Sequence, residues 1–157
     1  MSRPVHIACL QTRPMASMVA AIDEALPMVA SAAKAGAKML FLPEYCGGLA
    51  SEGARIAPPS APEDSHAVLA ALRSAAVERK VWMMIGSIAV DGPDGRIINR
   101  GYMVGPDGAI LGRYDKLHLF DVEFARHLQK HLLKKRVHFR RCHLNGHAFP
   151  SLVPALG

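Results

Sequence analysis

Lys38-Met-Leu-Phe-Leu-Pro-Glu44-Tyr-Cys-Gly-Gly48 is the stretch on which the fold turns. Lys38 to Leu42 form a short apolar segment, which reads as a buried strand. At its carboxyl end, Pro43 to Gly48 make a turn-rich segment whose two glycines let backbone approach a ligand. Upstream, Val5 to Leu10 form another strand, with Cys9 expected as a core thiol. Between them Met18, Ile22, Ala25, Leu26, Val29 and Ala33 recur at helical spacing, with Ser17 as N-cap, Gly36 as the residue after the helix and a kink expected at Pro27. A strand, helix, strand unit results.

Downstream, residues 49–62 are small, polar and proline-bearing and predict a loop. Asp64 or Ser65 then caps a helix whose apolar face is Val68, Leu69, Leu72, Ala75 and Ala76. Val81 to Val90 form a buried strand. The turns Asp91-Gly-Pro-Asp-Gly95 and Gly105-Pro-Asp-Gly108 flank the next strand, and a third follows from Ala109 to Tyr114. The order β-α-β-α-β-β-β defines an α/β fold with a sheet of mixed direction.

Charge divides the 157 residues unevenly. Residues 1–123 hold 12 Lys/Arg and 13 Asp/Glu, whereas 124–157 hold 7 Lys/Arg, no acid and five of the eight histidines. The +6 total is therefore a near-neutral body joined at about Glu123 to a basic, His-rich tail. No apolar run approaches the ~18 residues of a membrane span and no signal-peptide core opens the chain, so a cytoplasmic protein without membrane attachment is expected. Three cysteines without CxxC spacing fit a reducing compartment.

Two side chains stand where chemistry is placed. Glu44, just past a buried strand, can reach a cleft at the sheet edge as a general base; the ordinary alternative is a surface-loop glutamate. Lys116, in Tyr114-Asp-Lys-Leu-His-Leu-Phe-Asp121, can stabilise negative charge on a substrate oxygen, or can simply pair with Asp115 or Asp121.

Taken together these segments resemble the nitrilase, or carbon–nitrogen hydrolase, superfamily. Ala35-Gly-Ala37 leading into Leu40-Phe-Leu-Pro-Glu44 is similar to that family's strand ending in its catalytic glutamate. Gly86-Ser-Ile88, Ile98-Asn-Arg100, Gly105-Pro-Asp-Gly108 and Tyr114 to Asp121 are similar to its path to the catalytic lysine. The Lys-Leu-His-Leu-Phe-Asp wording resembles omega-amidases and related amidases. The resemblance implies the N-terminal half of a four-layer α-β-β-α sandwich over residues 1–123. It also implies hydrolysis of a small amide or nitrile by a Glu-Lys-Cys triad with no cofactor or metal: Glu44 as general base, Lys116 as oxyanion stabiliser and a cysteine as nucleophile.

The resemblance does not identify that cysteine. Cys46 lies two residues beyond Glu44 and reads as a site-lining thiol, and Cys142 lacks a preceding apolar strand. The motifs stop at Phe124. His127, His131, His138, Cys142, His143 and His147 are metal-capable but lack zinc-finger spacing. Lys134-Lys-Arg136 and Arg140-Arg141 read as a solvated extension.

The expectation is a truncated, catalytically silent family member, in which residues 124–157 are an aberrant or alternative C-terminus and another reading frame carries the continuation. Uncovered sheet or helix faces should drive self-association. The alternative is a non-catalytic binding protein whose basic tail contacts nucleic acid or an acidic partner; for the amidohydrolase reading, nucleic acid is not an expected partner.

Overall fold

A computed structural model describes residues 4–52, 55–116 and 138–142. Within them β1 (Val5–Cys9), α1 (Met18–Lys34), β2 (Met39–Leu42), β3 (Ala50–Glu52), β4 (Arg55–Ala57), α2 (Ala67–Arg79), β5 (Trp82–Asp91), β6 (Ile97–Val104), β7 (Ile110–Asp115) and β8 (His138–Cys142) follow in order. The main sheet runs β7-β6-β5-β2-β1-β8. Its centre is parallel, β1 to β2 and β2 to β5, while β6 and β7 return antiparallel through the two Gly-Pro-Asp-Gly turns. The sheet is of mixed direction, as expected above, and none of the described helices is long and apolar enough to cross a membrane.

Three local expectations are corrected. The segment read as a loop contains the hairpin β3–β4, which pairs only with itself over three residues, too short for a periodic pattern to show. The cap of α2 is His66 rather than Asp64 or Ser65; those two residues belong to a 3-10 turn, Glu63–Ser65. The His66 Nδ1 accepts from Leu69 N at 3.5 Å and Nε2 lies 3.0 Å from the Ala89 carbonyl, while burial lowers the imidazole pKa and keeps it neutral. In the basic segment, His138–Cys142 pairs antiparallel with β1 from Val5↔Cys142 to Cys9↔His138. Helix α1 is capped as expected, Ser17 Oγ accepting from Ala20 N at 3.2 Å, and it continues through Pro27 to Lys34. Pro27 sits on the exposed side, where water can serve the carbonyl that lacks a donor.

Register and side-chain alternation assign the two faces of the sheet. Ala8, Leu40, Met83 and Val104 stand in one row and Leu42, Ile85 and Tyr102 in the next; all are buried in one core with Ala25 and Val29 of α1 and Leu69, Leu72 and Ala76 of α2. The opposite face carries Ile7, Met39 and Trp82 in one row and Cys9, Phe41, Met84 and Met103 in the next. No described helix packs there, and Trp82 is 43% exposed. Cys9, expected in the core, belongs to this face and is exposed; alternation along β1 gives His6 and Ala8 to the helix side, and of these Ala8 is buried in the core.

A charge network joins the 3-10 turn to the strands. Glu63 accepts from Arg100 Nη1 (2.8 Å), Tyr102 OH (3.1 Å) and Arg113 Nη2 (2.6 Å), and Arg100 Nη2 also donates to Asp115 Oδ2 at 2.8 Å. The Arg113 guanidinium is the main cause that holds the Glu63 carboxyl down at about 2, and burial pushes the Tyr102 phenol up to about 12. A carboxyl whose folded pKa lies below the ordinary 4.5 stabilises the fold fully above that pH and loses the contribution as pH falls towards about 2. Thermal melts from pH 5 to pH 2.5 should therefore show a shallower loss of Tm for Glu63→Gln than for the natural chain. Parallel losses would remove Glu63 from the acid response.

Candidate active site

Glu44 is placed by contacts between backbones. On β5, Ile85 faces Tyr102 and Ile88 faces Arg100, so three steps oppose two and Gly86-Ser87 form a bulge. A Cβ on Gly86 would lie 2.5 Å from the Leu42 carbonyl oxygen and 2.6 Å from Pro43 C, and one on Gly101 would lie 2.9 Å from the Gly86 oxygen. These are backbone atoms that cannot step aside. The end of β2 thus rests on the bulge, which in turn rests on β6.

Ser87 fastens the turn. Its Oγ accepts from Tyr45 N at 3.0 Å, its carbonyl from Cys46 N at 3.1 Å, and its own N–H donates to the Pro43 carbonyl at 3.4 Å. Tyr45 has φ +52°, a left-handed conformation that a non-glycine residue holds only when its surroundings impose it. Burial raises the Tyr45 phenol pKa, and the neighbouring Glu44 carboxylate adds to that.

The sequence-predicted pair meets here. Lys116 Nζ forms an ion pair with Glu44 Oε1 across 72 positions of sequence; its neighbour Asp115 pairs with Arg100, and Asp121 lies outside the described residues. Asn99 Nδ2 donates to the same Oε1 at 2.9 Å, and the Asn99 carbonyl accepts from Lys116 N, also at 2.9 Å. By alternation along β6, Asn99 shares the face of Gly101 and Met103, so the site lies on the face the helices leave open. Glu44 and Lys116 keep 43% and 31% of their side-chain surface, within reach of a ligand.

Cys46 is not brought into this group. It is 3% exposed, and its Sγ donates to the Ser87 carbonyl at 3.4 Å. Burial pushes the thiol up to about 12, leaving almost no thiolate at neutral pH. The side chain of Cys142 lies outside the described residues, as do His127, His131, His143 and His147. Among the described residues no group of three His, Cys, Asp or Glu side chains is arranged to hold a metal ion.

Sequence reading missed Ser87 and Asn99 as parts of the site. Gly86-Ser-Ile88 and Ile98-Asn-Arg100 flagged their segments, but the partners of Ser87 and Asn99 lie 42 and 55 residues away.

The model of one protein family, described as carbon-nitrogen hydrolase, matches residues 6–151. That range passes Glu123, where the quoted motifs stop, and enters the basic segment. The chain is 31% identical over 102 residues to omega-amidase NIT2 of Homo sapiens, covering 65% of this chain and 36% of the relative. It is 29% identical over 126 residues to deaminated glutathione amidase of Synechocystis, covering 76% and 44%. It therefore spans less than half the length of these curated relatives. Among solved structures, the C. elegans NitFhit protein superposes with a TM-score of 0.64 at 22% identity over 82% of this chain and 32% of that one. An amidase from Nesterenkonia does so with 0.60 at 22% over 76% and 45%. These structural likenesses establish a shared fold.

Gly86→Ala should cost about 1–3 kcal/mol, because the new methyl has only backbone to displace. Denaturant midpoints check this, and an unchanged midpoint would mean that the close approach does not hold the turn. With Cys142→Ser as background, an aromatic disulfide reagent at pH 8 should label Cys46 only after unfolding. Rapid labelling of native Cys46 would restore it as a nucleophile candidate.

Proposed function

Because the chain belongs to the carbon–nitrogen hydrolase family, we propose that Glu44 and Lys116 are the base and the cation of a Glu-Lys-Cys amidase centre for small amides, omega-amides of dicarboxylates among them. The observation that carries this reading is the Lys116–Glu44 ion pair, formed at the end of a buried strand by residues 72 apart. Relatives named for omega-amides and for deaminated glutathione support the substrate class. A solved Glu-to-Gln variant of the Nesterenkonia amidase carries acrylamide added at its active-site cysteine, which supports the nucleophile.

In this chemistry Glu44 takes the proton of a cysteine thiol and the thiolate attacks the amide carbon. Lys116 stabilises the resulting oxyanion. Collapse of the tetrahedral intermediate breaks the C–N bond. The proton held by Glu44 passes to the leaving nitrogen, which departs as ammonia, and water opens the thioester with Glu44 again as base.

Cys46 is not the thiol used, because it is buried, protonated and turned to Ser87. With Cys46 excluded and no nucleophile identified among the described residues, the chain by itself is expected to be silent. The sheet face that no described helix covers, with Trp82 and Cys9 exposed, drives self-association in isolation. Purified chain given glutaramate, succinamate or a nitrile should release no ammonia above a Glu44→Gln control, and should elute above monomer size. Turnover lost on Cys142→Ala would make Cys142 the nucleophile and overturn the silence, whereas a monomer with cooperative unfolding would overturn the self-association.

A further inference from the structure

Asn99 is bonded to both members of the ion pair. Its side-chain amide donates to Glu44 Oε1 at 2.9 Å, and its backbone carbonyl accepts from Lys116 N at 2.9 Å, fixing the lysine's main chain opposite its own. The residue is 2% exposed, so its rotamer is set by packing rather than by solvent. One end of the amide makes no bond: Oδ1 is buried and has no partner among the described residues. A buried acceptor without a partner is disfavoured, and a leucine of similar size would avoid it. The amide cannot turn over to relieve the cost, because its oxygen would then face a carboxylate. The Glu44 carboxylate therefore dictates how Asn99 lies.

The bonds also distinguish the two carboxylate oxygens. A carboxylate oxygen has two lone-pair sites, and on Oε1 one meets Asn99 Nδ2 and the other Lys116 Nζ. Oε2 accepts no hydrogen bond from a described residue.

We propose that Asn99 is the positioning residue of this centre: it holds Glu44 through Oε1, so that Oε2 is the atom left to take a proton, and it sets the height of Lys116 beside it. The inference rests on Glu44 being the base, and it adds which oxygen acts and what aims it.

The test reads the coupling rather than turnover. Glu44→Gln replaces a charged acceptor by a neutral one, so the side-chain amide signals of Asn99 in a 15N correlation spectrum should move and exchange faster with water. The second arm is the acetylation rate of Lys116, followed by peptide mass spectrometry. Asn99→Leu and Glu44→Gln should each raise it by roughly three-fold, the scale on which a partly exposed ion pair shields its lysine. The double variant should rise no further, since both act through one bond.

An unmoved Asn99 signal, or rates that multiply in the double variant, would overturn the proposal. If Asn99→Leu does not fold, the Glu44→Gln spectrum decides alone. Should Glu44 prove not to be a base in any amidase assay, both couplings would still be seen, so the two failures are separable.

Discussion

The site depends on an approach of three backbones that only glycine permits. Leu42-Pro43 at the end of β2, Gly86 in the β5 bulge and Gly101 in β6 touch without side chains between them. Glycine inside a strand is disfavoured by about 0.5–1 kcal/mol relative to alanine, and at these two positions alanine has nowhere to go. The bulge converts this contact into function. It carries Ser87 out of the ladder to bind Tyr45 and Cys46, and that binding holds Glu44 at a fixed height above the sheet.

Two polar systems occupy adjacent residues of the same strands. Arg100 and Asp115 belong to the Glu63 network, while Asn99 and Lys116, one step away on each strand, belong to the Glu44 site. Because side chains alternate, a slip of one residue between β6 and β7 would turn Lys116 to the face of Arg100 and Asp115 to that of Asn99. The Arg100↔Asp115 pair and the three donors to Glu63 are thus register markers for the site on the other face. Exposed ion pairs add little stability singly, but a pair that excludes a wrong register acts on specificity instead.

The mixed sheet, the two helices and the choice of Glu44 and Lys116 as residues to watch were legible in the sequence, because apolar periodicity, turn chemistry and two family-like motifs are local signals. The support of the site was not. Ser87, Asn99 and Glu63 take their roles from partners far along the chain, and a serine, an asparagine or a loop glutamate looks ordinary beside its immediate neighbours. Cys9 shows the same limit from the other side. An apolar strand predicts burial, but which of its two faces the helices cover is decided by α1 and α2 packing on Ala8, Leu40 and Met83. His66 escaped as a cap because its imidazole does the work usually expected of a Ser or Asp.

Cys46 shows how the same packing that builds the site excludes the nearest thiol from it. The turn needs the Cys46 N–H on the Ser87 carbonyl, and this draws Sγ onto that carbonyl as well. Burial then keeps the proton on sulfur, two residues from a carboxylate that can take one. Freeing Cys46 would mean breaking the bonds that position Glu44, so no small adjustment makes it the partner of this base. Under the proposed chemistry the reacting thiol must reach the Glu44 oxygen that Asn99 and Lys116 leave unbound, on the sheet face that carries Phe41, Met84 and Met103. Polypeptide covering those apolar rows would gain about 25 cal/mol for each Å² removed from water.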